Sequence, residues 1–148
     1  MTSQLSADGV FSSNRLFPFT PAQIFAAFSN ADRLAAWWGP DGFINTFEQF
    51  EFKAQGRWKF VMHGPDGKDY LNDCVFLEAS QQKIVIRHVS PPNFTLTITL
   101  EDADGQTNLY WHQAFEDPRV AESLAHIIVP ANEQNLNRLH TTLLATAK

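Results

Sequence analysis

Apolar and polar residues alternate without interruption in FTLTITL at residues 94–100, the clearest alternation in the chain. Phe94, Leu96, Ile98 and Leu100 would lie on one face of a strand, and the three threonines between them on the other. This alternation is typical of an antiparallel sheet that is wet on one side. The stretch therefore predicts a strand whose other face is buried.

The same two-residue period extends along the chain in both directions. Asp104-Gly105 is a hairpin signal, and it leads into a predicted strand at residues 107–115. The remaining predicted strands are at residues 10–19, 44–52, 57–63, 70–79 and 83–89. Together they make about seven strands, and the short connections between consecutive strands favour antiparallel neighbours.

Helical spacing replaces the two-residue period in two parts of the chain. Thr20-Pro21 starts a short helix, with a hydroxyl at the N-cap and proline at the first helical position. A second short helix ends at Gly39-Pro40. The pattern is helical again from Pro118, and only this last segment is long enough to cover the sheet. Pro130 interrupts it and predicts either a kink in this helix or a short helix that ends there and a long one that begins near Ala131; we favour the second.

These elements predict an α+β fold in which a curved antiparallel sheet wraps around a long C-terminal helix. Two short helices lie between strands 1 and 2, and a cavity is expected between the sheet and the last helix. The chain of 148 residues fits a single domain, which we predict to span residues 8–148. The polar tail at residues 1–7 is expected to be frayed.

Composition and motifs exclude several classes of function. The net charge of −5 and the absence of any Lys/Arg run argue against nucleic acid and anionic membranes as partners, while allowing a homodimer. No apolar run approaches the roughly 20 residues of a membrane span, so no membrane insertion is expected. Cys74 is the single cysteine, which suits a cytoplasmic protein. Since zinc, phosphate-loop and serine-hydrolase motifs are missing, no cofactor or metal is expected.

The chain resembles the activator of heat-shock protein 90 ATPase-like family, over about residues 10–146. The residues that carry the resemblance are Pro21 to Phe28, Trp37-Trp38-Gly39-Pro40, Gly56-Arg57-Trp58-Lys59-Phe60-Val61-Met62, Gly64-Pro65-Asp66-Gly67, Phe115 and the Leu136–Leu139 pattern. This family lies within the START, polyketide-cyclase and birch-pollen-allergen superfamily, also called SRPBCC. The resemblance implies the helix-grip fold. It implies no single reaction, because members range from lipid carriers to cyclases and co-chaperones.

Two positions depart from the family pattern. A Gly-Gly pair is usual before the third strand, where this chain has Gln55-Gly56, and this departure implies a different strand bend. A tryptophan is usual near the start of the last helix, where this chain has Asn132. Asn132 is therefore expected to open one end of the cavity or to make it more polar.

The chain contains 13 Phe, 4 Trp and 2 Tyr, and this ring surface can fill a core or line a pocket. Of the two adjacent tryptophans at the end of the second helix, one is expected in the core and the other, Trp38, near the cavity rim. The large residues on inward strand faces are the predicted cavity wall: Trp58, Phe60, Met62, Trp111 and Phe115.

Four polar residues are predicted to reach the cavity. Glu51 would be a carboxylate at the mouth with a pKa raised by desolvation, unless it pairs with Arg57 or Lys53. His88 shares a face with two isoleucines and would be an acid or base, or simply hydrogen-bonded near the sheet rim. Tyr70 and Asn72 would offer hydrogen bonds within an apolar space, unless neighbours satisfy them.

The function that these observations favour is non-catalytic: binding or carriage of a small hydrophobic molecule. One alternative is a cyclase or hydratase that uses Glu51, His88 or Tyr70. The other, which the family resemblance implies, is a module that binds a chaperone and stimulates its ATPase.

Overall fold

The computed structural model describes residues 4–146 of the chain. Three helices are found, at Pro21–Ser29 (α1), Ala31–Trp37 (α2) and Pro118–Thr146 (α3). The strands are Gln4–Leu5 (β1), Val10–Phe17 (β2), Ile44–Phe50 (β3), Arg57–His63 (β4), Asp69–Ala79 (β5), Lys83–His88 (β6), Phe94–Ala103 (β7) and Gln106–Phe115 (β8).

All the strands form one antiparallel sheet in the order β1-β2-β8-β7-β6-β5-β4-β3. The seven predicted strands, the two short helices between the first two of them, and the α+β helix-grip architecture are confirmed. The expectation of a frayed tail is wrong for Gln4–Leu5, which pair with Phe11 and Ser12 of β2. Residues 1–3 lie outside the described part of the chain.

The sheet bends where its register shifts. One shift lies between Phe47 and Gln49 of β3, and another between Phe76 and Glu78 of β5. An extra residue on one strand bends that strand and increases its twist. Just before β4, Gln55 has a φ of 68°, a left-handed conformation that glycine adopts freely. The residue that replaces the family's first glycine therefore keeps a glycine-like backbone.

The two short helices begin at side-chain caps. The Gln23 N–H donates to Thr20 Oγ1 (3.1 Å), and the Thr20 N–H donates to Gln23 Oε1 (2.8 Å), so α1 carries a complete capping box. The Arg33 N–H donates to Asn30 Oδ1 (3.1 Å) at the start of α2. These caps hold α1 and α2 in a fixed turn, with the end of α2 beside the sheet.

The expected break at Pro130 is wrong, because α3 is one helix that contains this proline. Proline removes one helical hydrogen bond, but tertiary packing can outweigh that loss. Ala121, before the proline, is buried in a cluster with Phe11 and Phe115, and Leu139, after it, is buried in the main core. Pro130 itself lies on the exposed side of the helix. Among residues 4–146, no helix is both long and apolar enough to cross a lipid bilayer.

Among the strands, the backbone of α3 comes closest to β1, β2 and β8, which are neighbours at one end of the strand order. Side chains of α3 such as Leu139 reach the main core. Trp38 and the segment that follows it, residues 39–43, approach β4 and β5: the Trp38 ring lies 5.1 Å from Trp58, and the Phe43 ring lies 5.9 Å from Tyr70. This division leaves room between that segment and the sheet.

We predict that Gly56→Ala lowers the free energy of unfolding by about 3 kcal/mol, because an added methyl group would overlap the carbonyl oxygen of Glu51. Backbone atoms at this corner cannot move easily, since the Phe76 N–H donates to the Gly56 carbonyl (2.9 Å). Urea denaturation would measure the change. Gly105→Ala is the matched control: its φ is 85° but no atom lies within 4 Å of the added carbon, so it should cost only about 1 kcal/mol. Equal losses in the two variants would contradict the steric explanation.

Candidate ligand-binding cavity

A cavity of about 690 Å³ lies between the sheet and the segment that follows α2. Strands β4 to β7 form its floor, and α3 contributes a single side chain, Ile127, at its edge. Ligand pockets in proteins are commonly about 300–1,000 Å³ and mostly apolar. The lining residues are Trp38, Pro40, Phe43, Phe60, Met62, Asp69, Tyr70, Leu71, Asn72, Cys74, Ile86, His88, Pro91, Pro92, Phe94, Leu96 and Ile127.

The cavity brings together six of the eleven residues that the sequence predicted for the site: Trp38, Phe60, Met62, Tyr70, Asn72 and His88. The assignment of the tryptophan pair matches the structure. Trp37 is fully buried and donates its indole N–H to the Ala27 carbonyl (3.1 Å), whereas Trp38 lies on the cavity wall.

Two predicted wall residues, Trp58 and Trp111, are not on the wall. Trp58 is completely buried, with its ring stacked on Phe60 (centroids 4.3 Å apart) and on Phe76 (5.5 Å). The Trp38 ring stands edge-on to Trp58 (5.1 Å) and lies 5.9 Å from Trp111. Trp38 therefore covers both rings. Trp58 and Trp111 therefore lie in the core beneath Trp38 and support it, without lining the cavity themselves.

Phe115 and Asn132 also lie outside the cavity. Phe115 packs edge-on against Phe11 (5.6 Å), under the first half of α3. Asn132 is buried and donates its Nδ2 hydrogen to Gln113 Oε1 (3.1 Å). This amide pair joins α3 to β8, so Asn132 does not open the cavity.

The prediction for Glu51 is wrong in both position and pKa. Its side chain is exposed and away from the cavity, and Oε1 accepts the backbone N–H of Arg57 (2.9 Å). This hydrogen bond lowers the pKa of Glu51 from its ordinary value. The Arg57 side chain pairs instead with Asp73 (3.2 Å). Among residues 4–146, no group of three or more His, Cys, Asp or Glu side chains could hold a metal ion.

His88 is held on both sides in the cavity wall. Its Nδ1 lies 2.8 Å from the Ser90 carbonyl and 2.9 Å from the Pro92 carbonyl, and its Nε2 lies 2.6 Å from Asn72 Oδ1. The ring also stacks on Phe94, with centroids 4.5 Å apart. Burial lowers the pKa of His88 more than the hydrogen bonds to Pro92 and Ser90 raise it. His88 thus fastens the loop after β6 to strand β5.

The other polar side chains inside the cavity are uncharged. Asn72 Nδ2 donates to the Tyr70 carbonyl (3.0 Å), and the Tyr70 hydroxyl donates outward to Asp66 Oδ2 (3.3 Å). Burial, together with the nearby Asp73, raises the pKa of Cys74 to about 12. The Cys74 thiol is therefore protonated and unsuited to nucleophilic attack.

The mouth of the cavity is apolar with one acidic position. Leu71 is 78% exposed and Ile127 is 55% exposed, so both present aliphatic surface to solvent at the cavity edge. Asp69 also lies there, 2.8 Å from His63 Nδ1. Molecules that enter the cavity would pass these side chains.

Arg138 of α3 fixes the segment that forms the cavity's outer wall. Its guanidinium lies at hydrogen-bond distance from five backbone carbonyl oxygens, those of Ala36, Trp38, Gly39, Pro40 and Phe43, at 2.8–3.2 Å. No other side chain could replace this fork of donors, because lysine has three donors on a single atom.

Sequence reasoning missed the lining residues that come from loops. Pro40, Phe43, Pro91 and Pro92 line the cavity from the connections after α2 and after β6. Proline normally marks a turn in a sequence, and nothing in the local pattern says that a turn folds over a sheet. Ile86, Phe94 and Leu96 could have been found, since they share the inward face with residues that were predicted.

A comparison with protein families places the chain in one of them. The model of the family described as Activator of Hsp90 ATPase homolog 1-like protein matches residues 18–145. The chain belongs to this family. No curated protein matches the chain at a significant level.

Solved structures of similar fold cover nearly the whole chain. A solution structure of a protein from Arthrobacter aurescens has a TM-score of 0.89 at 19% identity, covering 100% of this chain and 94% of that one. A crystal structure of a protein from Mycobacterium smegmatis has a TM-score of 0.87 at 17% identity, covering 99% and 98%. A family member from Silicibacter pomeroyi has a TM-score of 0.72 at 18% identity, covering 92% and 98%. At these identities the likeness shows the fold alone.

We predict that His88 makes the protein less stable as the pH falls. Because its pKa is below the ordinary 6.5 in the folded state, the unfolded chain takes up the proton first. The contribution of His88 to the free energy of unfolding is therefore complete well above pH 6.5 and declines as the pH falls below it, by at most about 1.4 kcal/mol per pH unit.

Urea titrations of the wild type and His88→Gln at several pH values would measure this contribution. The difference between the two curves should shrink on acidification, while exposed His126→Gln, the control, should follow the wild type. A difference that grows or stays constant would contradict it.

We predict that Arg138→Met lowers the free energy of unfolding by about 2–4 kcal/mol, because five carbonyl oxygens lose a charged donor. Arg138→Lys should recover only part of the loss. Arg119→Met is the control, since its side chain is 92% exposed, and it should change stability by less than about 0.5 kcal/mol. Full stability of Arg138→Lys would show that the charge, rather than the fork of donors, matters.

Proposed function

We propose that the chain binds a small hydrophobic molecule in the cavity between β4 to β7 and the segment after α2, without catalysing a reaction. The observation that carries this proposal is the cavity itself: about 690 Å³, lined mainly by aliphatic and aromatic side chains, with few polar groups. Such a lining binds apolar molecules because it removes their surface from water, at about 25 cal/mol per Å² before the costs of association.

The polar residues of the cavity support binding over catalysis. Both nitrogens of His88 contact oxygen atoms of the protein, so neither is free to take a proton from a substrate. The Tyr70 hydroxyl points to Asp66, and Glu51 lies elsewhere. A cyclase or hydratase would need an acid or base with a free position toward the substrate.

The flexible side chain of Met62 and the exposed apolar mouth at Leu71 and Ile127 also support a binding role. A chaperone-stimulating role is named by the family, but no surface of the described residues favours it over ligand binding. The single domain, the homodimer and the cytoplasmic location stay predictions.

The experiment is a titration with N-phenyl-1-naphthylamine, a neutral probe whose fluorescence rises in apolar surroundings. We expect saturable binding of one probe per chain. Ile86→Phe should weaken it at least tenfold, because the larger ring occupies the cavity floor. The same exchange at Ile44, which is 68% exposed on strand β3 and outside the cavity, should leave it unchanged. Absence of saturable binding, or an equal effect of both exchanges, would refute the proposal.

A further inference from the structure

The charge around the cavity limits what can be buried in it. Among the lining residues that the structure describes, Asp69 is the only carboxylate and no lysine or arginine is present; Asp69 stands at the mouth, 59% exposed and beside His63. Arg138 lies behind the wall, but backbone carbonyl oxygens surround its two terminal nitrogens. No cation therefore faces the interior. An ionised group buried without a partner is strongly unfavourable.

The interior does offer an uncharged hydrogen-bond donor. The side-chain nitrogen of Asn72 carries two hydrogens, and the Tyr70 carbonyl accepts one of them (3.0 Å). The other end of the amide lies 2.6 Å from His88 Nε2. Among the described residues these are the two contacts of the Asn72 amide, so one of its two N–H groups has no protein partner, and the side chain lines the cavity.

The neighbouring groups reinforce this donor character. Cys74, two residues along the same strand, presents a protonated thiol, which is a weak donor. The nitrogens of His88 are occupied, and the Tyr70 hydroxyl is directed to Asp66. A bound molecule that carries an acceptor would satisfy Asn72, and one that carries only donors would not.

Building on the proposed function, we propose that the cavity takes a neutral apolar molecule whose buried end carries a hydrogen-bond acceptor, such as a ketone or ester carbonyl, and that Asn72 donates to it. Molecules with an ionised carboxylate at that end are rejected, because nothing in the cavity compensates their charge. Asn72 acts here as a specificity-determining residue.

Three compounds of nearly equal shape test this inference by displacement of N-phenyl-1-naphthylamine at pH 8: 2-acetylnaphthalene, 2-isopropenylnaphthalene and 2-naphthoate. The ketone and the alkene differ only in the acceptor, and the carboxylate adds a charge. We expect the ketone to bind about 5–10 times more tightly than the alkene. We expect 2-naphthoate to bind at least about 100 times more weakly than the ketone.

The variant Asn72→Leu should remove the preference for the ketone over the alkene, while the alkene still binds. Asn108→Leu, the same exchange on strand β8 away from the cavity, should keep the wild-type ratio. If Asn72→Leu does not fold, the three wild-type affinities decide alone. Equal binding of ketone and alkene, or tight binding of 2-naphthoate, would overturn the inference while leaving the proposed function intact. Failure of the neutral probe itself to bind would overturn both.

Discussion

One guanidinium group joins the C-terminal helix to the part of the chain that covers the other half of the sheet. Arg138 lies within 3.2 Å of five carbonyl oxygens around the end of α2. The backbone of the helix lies closest to β1, β2 and β8. The same segment is also held by Asn45, whose Nδ2 donates to the Trp38 carbonyl (2.8 Å), and by the packing of Trp38 on Trp58. These contacts together hold an apolar wall at a distance from the sheet.

A cluster of rings then divides the inward sheet face into core and cavity. Trp58 is enclosed by Phe60, Phe76 and Trp38, and the Trp38 ring also lies 5.9 Å from Trp111 of β8, so rings fill this part of the inward face. On the neighbouring part of the face, the first half of β5 contributes the smaller or polar residues Asn72 and Cys74, and the space stays open. Alternation along a strand specifies the inward face, but the size of the side chains along that face decides where a molecule could fit.

The range of the interactions involved explains which features could be predicted from the sequence. Alternation, caps and turns depend on neighbours within a few residues, and they predicted the strands, the two short helices and the inward position of Phe60, Met62, Asn72 and His88. Positions that depend on a bend of the backbone or on contacts far along the chain were predicted wrongly. Glu51 accepts a backbone N–H at a bend before β4. Asn132 donates to Gln113 across the interface between helix and sheet. Pro130 stays within a helix because the residues before and after it along α3 are packed. The loop residues on the cavity wall carry no local signal at all.

If a small molecule binds in the cavity rather than on the exposed apolar surface, methyl groups of the cavity wall should report it. The measurement is a titration of methyl-labelled protein with 2-acetylnaphthalene, followed by NMR. We expect shift changes at the methyl groups of Met62, Ile86 and Leu96, which line the cavity, with exposed Leu16 and Leu144 unaffected. Changes confined to exposed methyl groups, or no changes at concentrations that saturate probe displacement, would contradict binding in the cavity.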